Sequence, residues 1–525
     1  MSGTATDVVI VGSGIGGATL AAGLAGSGAR ITILERGEQL PDGPAARDAR
    51  AIFVGQHYRP KELWRDGQGA EFNPGNYYYV GGNSKFYGAV MLRYRERDFA
   101  PIAHEGGTTP GWPIAYAELE PWYGRAERLF QVRGATGQDP TEPRRSEPYA
   151  HAPVPDEPAI AAVRERLAVQ GLHPFSLPLA LDVERWLQRA ATPWDAFPDT
   201  RSGKMDAETA ALATALRDPD VTLVTGARAL RLLSGEAGRV DGVEYLQGDE
   251  RRTLRAATVV LAAGAVNSAA LLLRSGLANR SGTVGRYFMN HNCTAMLAVD
   301  PRVVNDSVYQ KTLGVNDFYF DDGKGGPPLG NVQLLGRISA PILAANMRWA
   351  PGFALSWLAR HSVDWYAMSE DLPHPDSRIR IDGETIVLDW RRSNMTAHQR
   401  LVARMRELFK AAGYPIVLAR TFDRRTPSHQ CGTVRFGTDP STSALDPFCR
   451  AHDHPNLYVV DASFLPTSAA VNPALTIAAQ ALRVADHLAP NPTLPRSAVE
   501  GDTHVAPAPS PVLSGGGPGQ GAAHA

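Results

Sequence analysis

Three glycines spaced G-x-G-x-x-G, Gly12, Gly14 and Gly17, follow the β-branched run VVIV at 8–11, and Glu35 closes the next apolar stretch, ITIL at 31–34. This arrangement can hold a dinucleotide. The first glycine permits a tight turn, the second lets a pyrophosphate approach the backbone, and the third lets helix and strand pack closely. Ile15 opens the helix at the phosphate end, where free N–H groups favour anions. A carboxylate at Glu35 suits the adenosine ribose hydroxyls and would repel a phosphorylated ribose, which disfavours NADP and leaves FAD and NAD both open. A second locus is Asn472-Pro473, followed by the nearly unbroken apolar run ALTIAAQAL. It reads as a helix capped by Asn472 and driven into the protein, so its positive dipole end and free N–H groups face whatever lies ahead. Pro473 has no N–H, so the donors fall to Ala474 and Leu475. Asp461 ends the strand LYVV, and sheets of α/β proteins bind ligands outside such strand ends.

These residues need a scaffold. The segment TDVVIVGSGIGGATLAAGLAGSGARITILERG is a compact βαβ unit, and TVVLAAG breaks at Gly264 into another small-residue helix. Gly81-Gly82 open a loop, GGNSKFYG, whose small residues let backbone amides lie close to a flat ring or a phosphate. From about 293 to 425 the pattern shifts to strands interrupted by aromatics: DFYF, TIVLDW and the stretch around DWYAM. An antiparallel sheet is expected there, with Phe318, Tyr319, Trp349, Phe353, Trp357 and Trp365 as possible pocket walls. The stretch PILAANMRWAPGFALSWLARH could form a lid or seat against lipid, and helix packing is the favoured expectation.

Composition bounds the remainder. With 53 Lys+Arg against 54 Asp+Glu, the net charge of −1 gives no basic surface for nucleic acid or general attraction to anionic lipid. The three cysteines, Cys293, Cys431 and Cys449, are odd in number and lack metal-ligand spacing. His452 and His454 mimic a metal pair without carboxylate or thiol support, so no metal is expected. Cys431 is expected to be a packed small residue. The N-terminal MSGTATDVVIVG has no export-signal pattern, and no stretch reaches the ~18 apolar residues of a membrane span. The cytoplasm is the expected compartment. Residues 491–525, rich in Pro, Gly and Ala, are expected to be a disordered tail.

In this order, the segments resemble the glucose–methanol–choline (GMC) oxidoreductases, a family of FAD enzymes, from Asp7 to about Leu488. The stretches GWPIAYAELEPWYGRAERLF and SEDLPHPDSRIRI are similar to it as well. The resemblance implies an α/β fold: a Rossmann-like FAD-binding domain assembled from discontinuous segments (1–110, 205–292 and 430–490), with a helical and loop insertion over the flavin (111–204). An α+β substrate domain with an antiparallel sheet (293–429) completes it. It places Gly82, Asn83, Tyr87 and Gly88 against the flavin, with Tyr87 where many members carry Asn. Some relatives attach the flavin through a His at the position occupied here by Phe86, so dissociable, non-covalent FAD is expected. Ahead of the Asn472 helix the resemblance places the pyrimidine edge of the ring, where reduction gathers negative charge.

HQCGT matches the family's catalytic His segment, which singles out His429 among 14 histidines. Asn472 matches the second member of the pair, filled in relatives by His or Asn. The implied chemistry is oxidation of a CH–OH group of an alcohol or sugar. His429 takes the hydroxyl proton, Asn472 donates a hydrogen bond to the developing alkoxide, and hydride passes to flavin N5. Two alternatives stay open: a hydroxynitrile-lyase-type lyase with structural flavin on the same scaffold, and a non-catalytic flavin carrier. Oxygen, a quinone or a redox protein could each take the electrons. No C-x-x-C-H motif supplies a fused haem.

Overall fold

The computed structural model describes residues 5–188, 192–198, 203–426 and 429–489. The expected tail, 491–525, lies outside the described residues. Strands β1 (Ala5–Val11) and β2 (Ile31–Leu34) flank helix α1 (Ile15–Leu24), as the glycine pattern requires. Val9 and Ile10 are wholly buried, because a central parallel strand is covered on both faces. β3 (Val221–Val224) joins the outer side of β2, and β4 (Ala227–Ser234), β5 (Val240–Gln247) and β6 (Glu250–Leu261) form an antiparallel meander. β6 serves two sheets' worth of pairing: Arg251–Arg255 pair antiparallel with β5, and Thr258–Leu261 pair parallel with β1. The order is β3-β2-β1-β6-β5-β4.

After helix α2 (Ala265–Ser275), the chain leaves to build a second, antiparallel sheet. Its strands are β7 (Asn292–Val299), β8 (Leu313–Val315), β9 (Asn331–Leu334), β10 (Ser362–Ser369) and β11 (Ile416–Thr421), ordered β11-β7-β10-β9-β8 with the short strand Phe175–Ser176 at the edge beyond β8. Two helices, α3 (Ala340–Asn346) and α4 (Gly352–His361), lie between β9 and β10. Met296 and Ala298 of β7 pack with Leu401 and Met405 of helix α5 (Met395–Ala411), while Leu297 and Val299 point the other way, toward Leu343 and Leu355. The chain then returns: β12 (Leu457–Val459) adds a parallel strand beside β6, and α6 (Ala474–Leu488) packs its almost wholly buried length against α1.

The expected mixed α/β and antiparallel architecture is present. Three details differ. DFYF (317–320) is turn, not strand, because Phe318 drops into the core under α5 and the Tyr319 hydroxyl donates to Asp98 at 2.9 Å. TIVLDW forms a strand (Thr385–Asp389) in a separate small sheet with Trp64–Asp66. Asn472 does not cap α6: the cap position is Pro473, with no side-chain cap bond, because the Asn472 oxygen is engaged elsewhere.

Candidate active site

One cavity of about 1840 Å³ runs from the C-terminal ends of β1 and β2 to the antiparallel sheet. A site for a drug-sized ligand occupies about 300–1,000 Å³, so this space has room for a dinucleotide and a substrate together. Gly12, Gly14, Ile15, Glu35, Gly82, Asn83, Tyr87, Gly88, Gly264, His429, Asp461, Asn472 and Ala474 all line it. Among the residues expected to contact a cofactor, Gly17 alone does not. A Cβ there would sit 2.0 Å from the Gly12 carbonyl oxygen, so its part is the helix–strand packing that the third glycine serves. Gly14 is the opposite case. Its added Cβ would meet nothing within 4 Å and would project into the cavity at the N-terminus of α1. That is a cradle shaped for an anion held close to the backbone.

The carboxylate of Glu35 is buried and multiply held. It accepts from Ser13 N (2.9 Å), Ser13 Oγ (2.7 Å) and Gly37 N (2.8 Å), while Gly81 N donates to Ser13 Oγ at 3.0 Å. The same bonds therefore tie the βαβ turn to the Gly-Gly loop. Asp461 accepts from Gly264 N (3.0 Å), Ser268 Oγ and Ser463 N (2.9 Å), fixing the turn where β6 meets α2. Tyr87 donates its hydroxyl to the Met205 carbonyl at 2.6 Å. Phe86 stacks on Tyr77, with ring centres 3.7 Å apart, and carries no nucleophilic atom.

Gly14→Val is therefore a clean test of this end. The substitution needs no room from the protein but takes about 1–3 kcal/mol of space from the ligand. FAD affinity should fall roughly 5–150-fold in fluorescence titration, with thermal unfolding of the apoprotein unchanged. Gly17→Val should instead destabilise the fold.

At the other end, His429 Nδ1 lies 2.8 Å from His291 Nδ1, and His429 Nε2 lies 3.3 Å from Asn472 Nδ2. Proton positions follow from groups that can act in one way only. His291 Nε2 faces the carbonyls of Ser468 (3.0 Å) and Ala469 (2.7 Å), which only accept. His291 therefore carries its proton on Nε2 and presents a lone pair at Nδ1. His429 must then donate from Nδ1, which leaves its Nε2 an acceptor, facing the cavity and the Asn472 amide.

A second chain reaches the same point from the opposite side. The Asp139 carboxylate, paired with Arg95, can only accept, so Asn316 donates its Nδ2 to it at 2.7 Å. Asn316 Oδ1 accepts from Asn331 Nδ2 (2.7 Å), Asn331 Oδ1 accepts from Gln333 Nε2 (3.1 Å), and that nitrogen also donates to Asn472 Oδ1 (3.0 Å). Asn472 is thus left with its N–H groups toward His429. One chain ends in an acceptor and the other in a donor, side by side at the cavity wall. A hydroxyl at this wall would meet an acceptor in the imidazole and a donor in the amide.

Electrostatics agree. Burial, then the neighbouring His291 ring and the Lys311 ammonium, hold His429 well below the ordinary imidazole value of 6.5, and burial lowers His291 too. Both rings are neutral at pH 7. His429 also has φ of 68°, and Ala469, whose carbonyl receives His291, has φ of 52°. Non-glycine residues in this region cost about 1–3 kcal/mol each and persist where surrounding structure holds them. The holding contacts are visible. Met289 and Cys431 exchange both backbone hydrogen bonds at 3.0 Å, which sets residue 291 opposite residue 429. Glu370 accepts from Ala469 N at 2.8 Å, and Asp371 accepts from Asn290 N at 3.1 Å.

His291, Gln333, Glu370 and Asp371 carry no signal of this role in the sequence. The expected aromatic walls are not where they were placed. Phe318, Tyr319 and Trp365 are core residues, whereas Trp349, Phe353 and Trp357 are exposed and do not line the cavity. Tyr366 and Phe422 line the cavity beside the antiparallel sheet, and Phe53 and Phe197 line it as well.

The family model "FAD dependent oxidoreductase" matches residues 7–293, and "GMC oxidoreductase" matches residues 373–481. The 6'''-hydroxyparomomycin C oxidase of Streptomyces lividus is 31% identical, over 92% of each chain. The chain belongs to the GMC oxidoreductase family. The paromamine 6'-oxidase of Streptomyces fradiae is 32% identical, over 92% of this chain and 91% of the relative. In fold this chain is similar to the pyridoxine 4-oxidase from Mesorbium loti, with a TM-score of 0.61, 21% identity, and 92% and 99% of the two chains covered. As a GMC member the protein is an FAD-dependent oxidoreductase acting on CH–OH donors. Gly14, Glu35 and the Gly81-Gly82 loop fit the dinucleotide, and the His429–Asn472 wall fits a donor hydroxyl. Among the described residues, no helix is long and apolar enough to cross a membrane.

Proposed function

We propose that this protein oxidises an alcohol to its carbonyl with His429 as the general base and Asn472 as the hydrogen-bond donor to the developing alkoxide. The observation that carries this is the meeting of two hydrogen-bond chains of fixed direction, one leaving a lone pair on His429 Nε2 and the other an N–H on Asn472. Bound FAD supplies the hydride acceptor. The chain's own residues do the rest. His429 takes the hydroxyl proton and becomes an imidazolium, whose Nδ1–H remains bonded to the His291 lone pair. The Asn472 amide holds the oxygen while its charge grows. The N-terminus of α6, beginning at Ala474 beside the cavity, provides a positive end for an anionic ring edge. Phe86 offers no atom for attachment in the Gly-Gly loop, which supports dissociable FAD.

Adding alcohols to the purified yellow protein without oxygen tests the reading. Loss of the visible flavin band is expected; a band that no alcohol bleaches, with cleavage of a cyanohydrin, would establish the lyase alternative instead. The pH dependence follows from the sign of the His429 shift. The neutral ring is the active form, and its pKa is pushed down, so activity is lost only as pH falls through that depressed value. The reduction rate measured by stopped flow should be flat across neutral pH, with its acid limb below the 6.5 of an ordinary imidazole.

A further inference from the structure

We propose that the alcohol carries an extended apolar body, a long alkyl or aryl chain, lying along β7 toward α3. This rests on the proposed alcohol oxidation at His429 and names the class of substrate. His291, the partner of His429, immediately precedes β7, so the strand leads directly away from the reacting centre. Side chains alternate along it: Met296 and Ala298 go under α5, and Ala295 and Leu297 face the cavity. At about 3.4 Å per residue, Leu297 stands about 20 Å from position 291. Tyr366, directly across from Ala295 on β10, continues this wall together with Leu335 and Phe422. Toward α3 the cavity is lined by Ile338, Ile342 and Met347.

Arg420, directly across from Ala295 on β11, brings an exposed guanidinium to this wall, and the other charges near it are paired or hydrogen-bonded. Asp195 is the carboxylate among the described lining residues on this side, and it is paired with Lys311 at 2.7 Å while also accepting from Gly336 N at 2.8 Å. Arg337 spends its guanidinium on the carbonyls of Asn305, Ser307 and Ala359. An aminated sugar would therefore meet ammonium and guanidinium groups and no uncommitted counter-charge. A polyol would bury its hydroxyls against Leu297, Ile342 and Phe422, at a cost per unpaired group. An alkyl chain gains from the same surface.

The test uses the holoenzyme without oxygen, reading flavin reduction with butanol, hexanol, octanol and decanol beside glucose and glucosamine. The efficiency of reduction should rise about fourfold per added methylene until the wall is covered, following about 0.8 kcal/mol per buried CH₂. Ile342→Gln and Leu297→Asn should flatten that slope, with flavin content confirming that each variant has folded. Glucose or glucosamine outpacing decanol, or a flat slope, would overturn the inference while leaving alcohol oxidation intact. If no alcohol bleaches the flavin, decyl methyl ether separates the two ideas. A shift of the flavin spectrum on binding, lost in Ile342→Gln, supports the apolar site with the redox reading gone, and no shift overturns both.

Discussion

Replacing His429 with alanine should slow flavin reduction by alcohol about 10²–10⁴-fold, the usual contribution of a positioned general base. FAD should stay bound, because the Gly14 cradle, Glu35 and the Gly81-Gly82 loop lie at the opposite end of the cavity. The variant has a second, diagnostic consequence. Without the His429 Nδ1–H, the His291 lone pair is buried and unpartnered, a cost of about 1–3 kcal/mol that appears as reduced thermal stability. A small imidazole added to the solution can occupy the vacated space and should restore part of the rate. Stopped-flow reduction and a melting curve on one preparation check both effects. An unchanged rate would remove His429 from the chemistry.

Asn472→Leu is expected to cost about 10²–10³-fold in the same step, comparable to losing one donor from a preorganised oxyanion site. Leucine keeps the number and branching of the side-chain heavy atoms while removing every polar one. What disappears is one N–H toward the reacting oxygen and the acceptor for Gln333. Asn472→Asp separates geometry from charge. A carboxylate beside His429 favours the imidazolium, so the His429 pKa rises and the acid limb of the rate profile moves upward in pH, toward or above 6.5. Leucine should lower the plateau without that displacement. Identical pH profiles for the two variants would contradict the assigned contact between Asn472 and His429.

The parts of this site that were readable in the sequence are those written in short-range pattern. Gly12, Gly14 and Gly17 follow from one tight turn, with Gly12 at φ 106° and Gly17 packed against the Gly12 carbonyl oxygen. His429 was identified through the resemblance of HQCGT, not through its chemistry alone. His291 escaped because it faces His429 only through the backbone exchange between Met289 and Cys431, a pairing that local periodicity does not encode. The Asn472 cap failed for a related reason. A local rule gives its oxygen to the helix N-terminus, but the amide chain starting at Asp139 claims that oxygen first. Trp365 and Tyr366 show how narrow the margin is. They are adjacent on β10, and the strand turns one into the α5 core and the other into the cavity. Choosing the inward face requires the sheet register, and that depends on partners distant in the chain.

The central claim concerns where one proton sits, and nitrogen-15 NMR of histidine-labelled holoenzyme measures that directly. At pH 7 the His429 ring, identified by its loss in His429→Ala, should show a protonated Nδ1 and a pyridine-like, unprotonated Nε2. An imidazolium, or a ring carrying its proton on Nε2, would contradict the account.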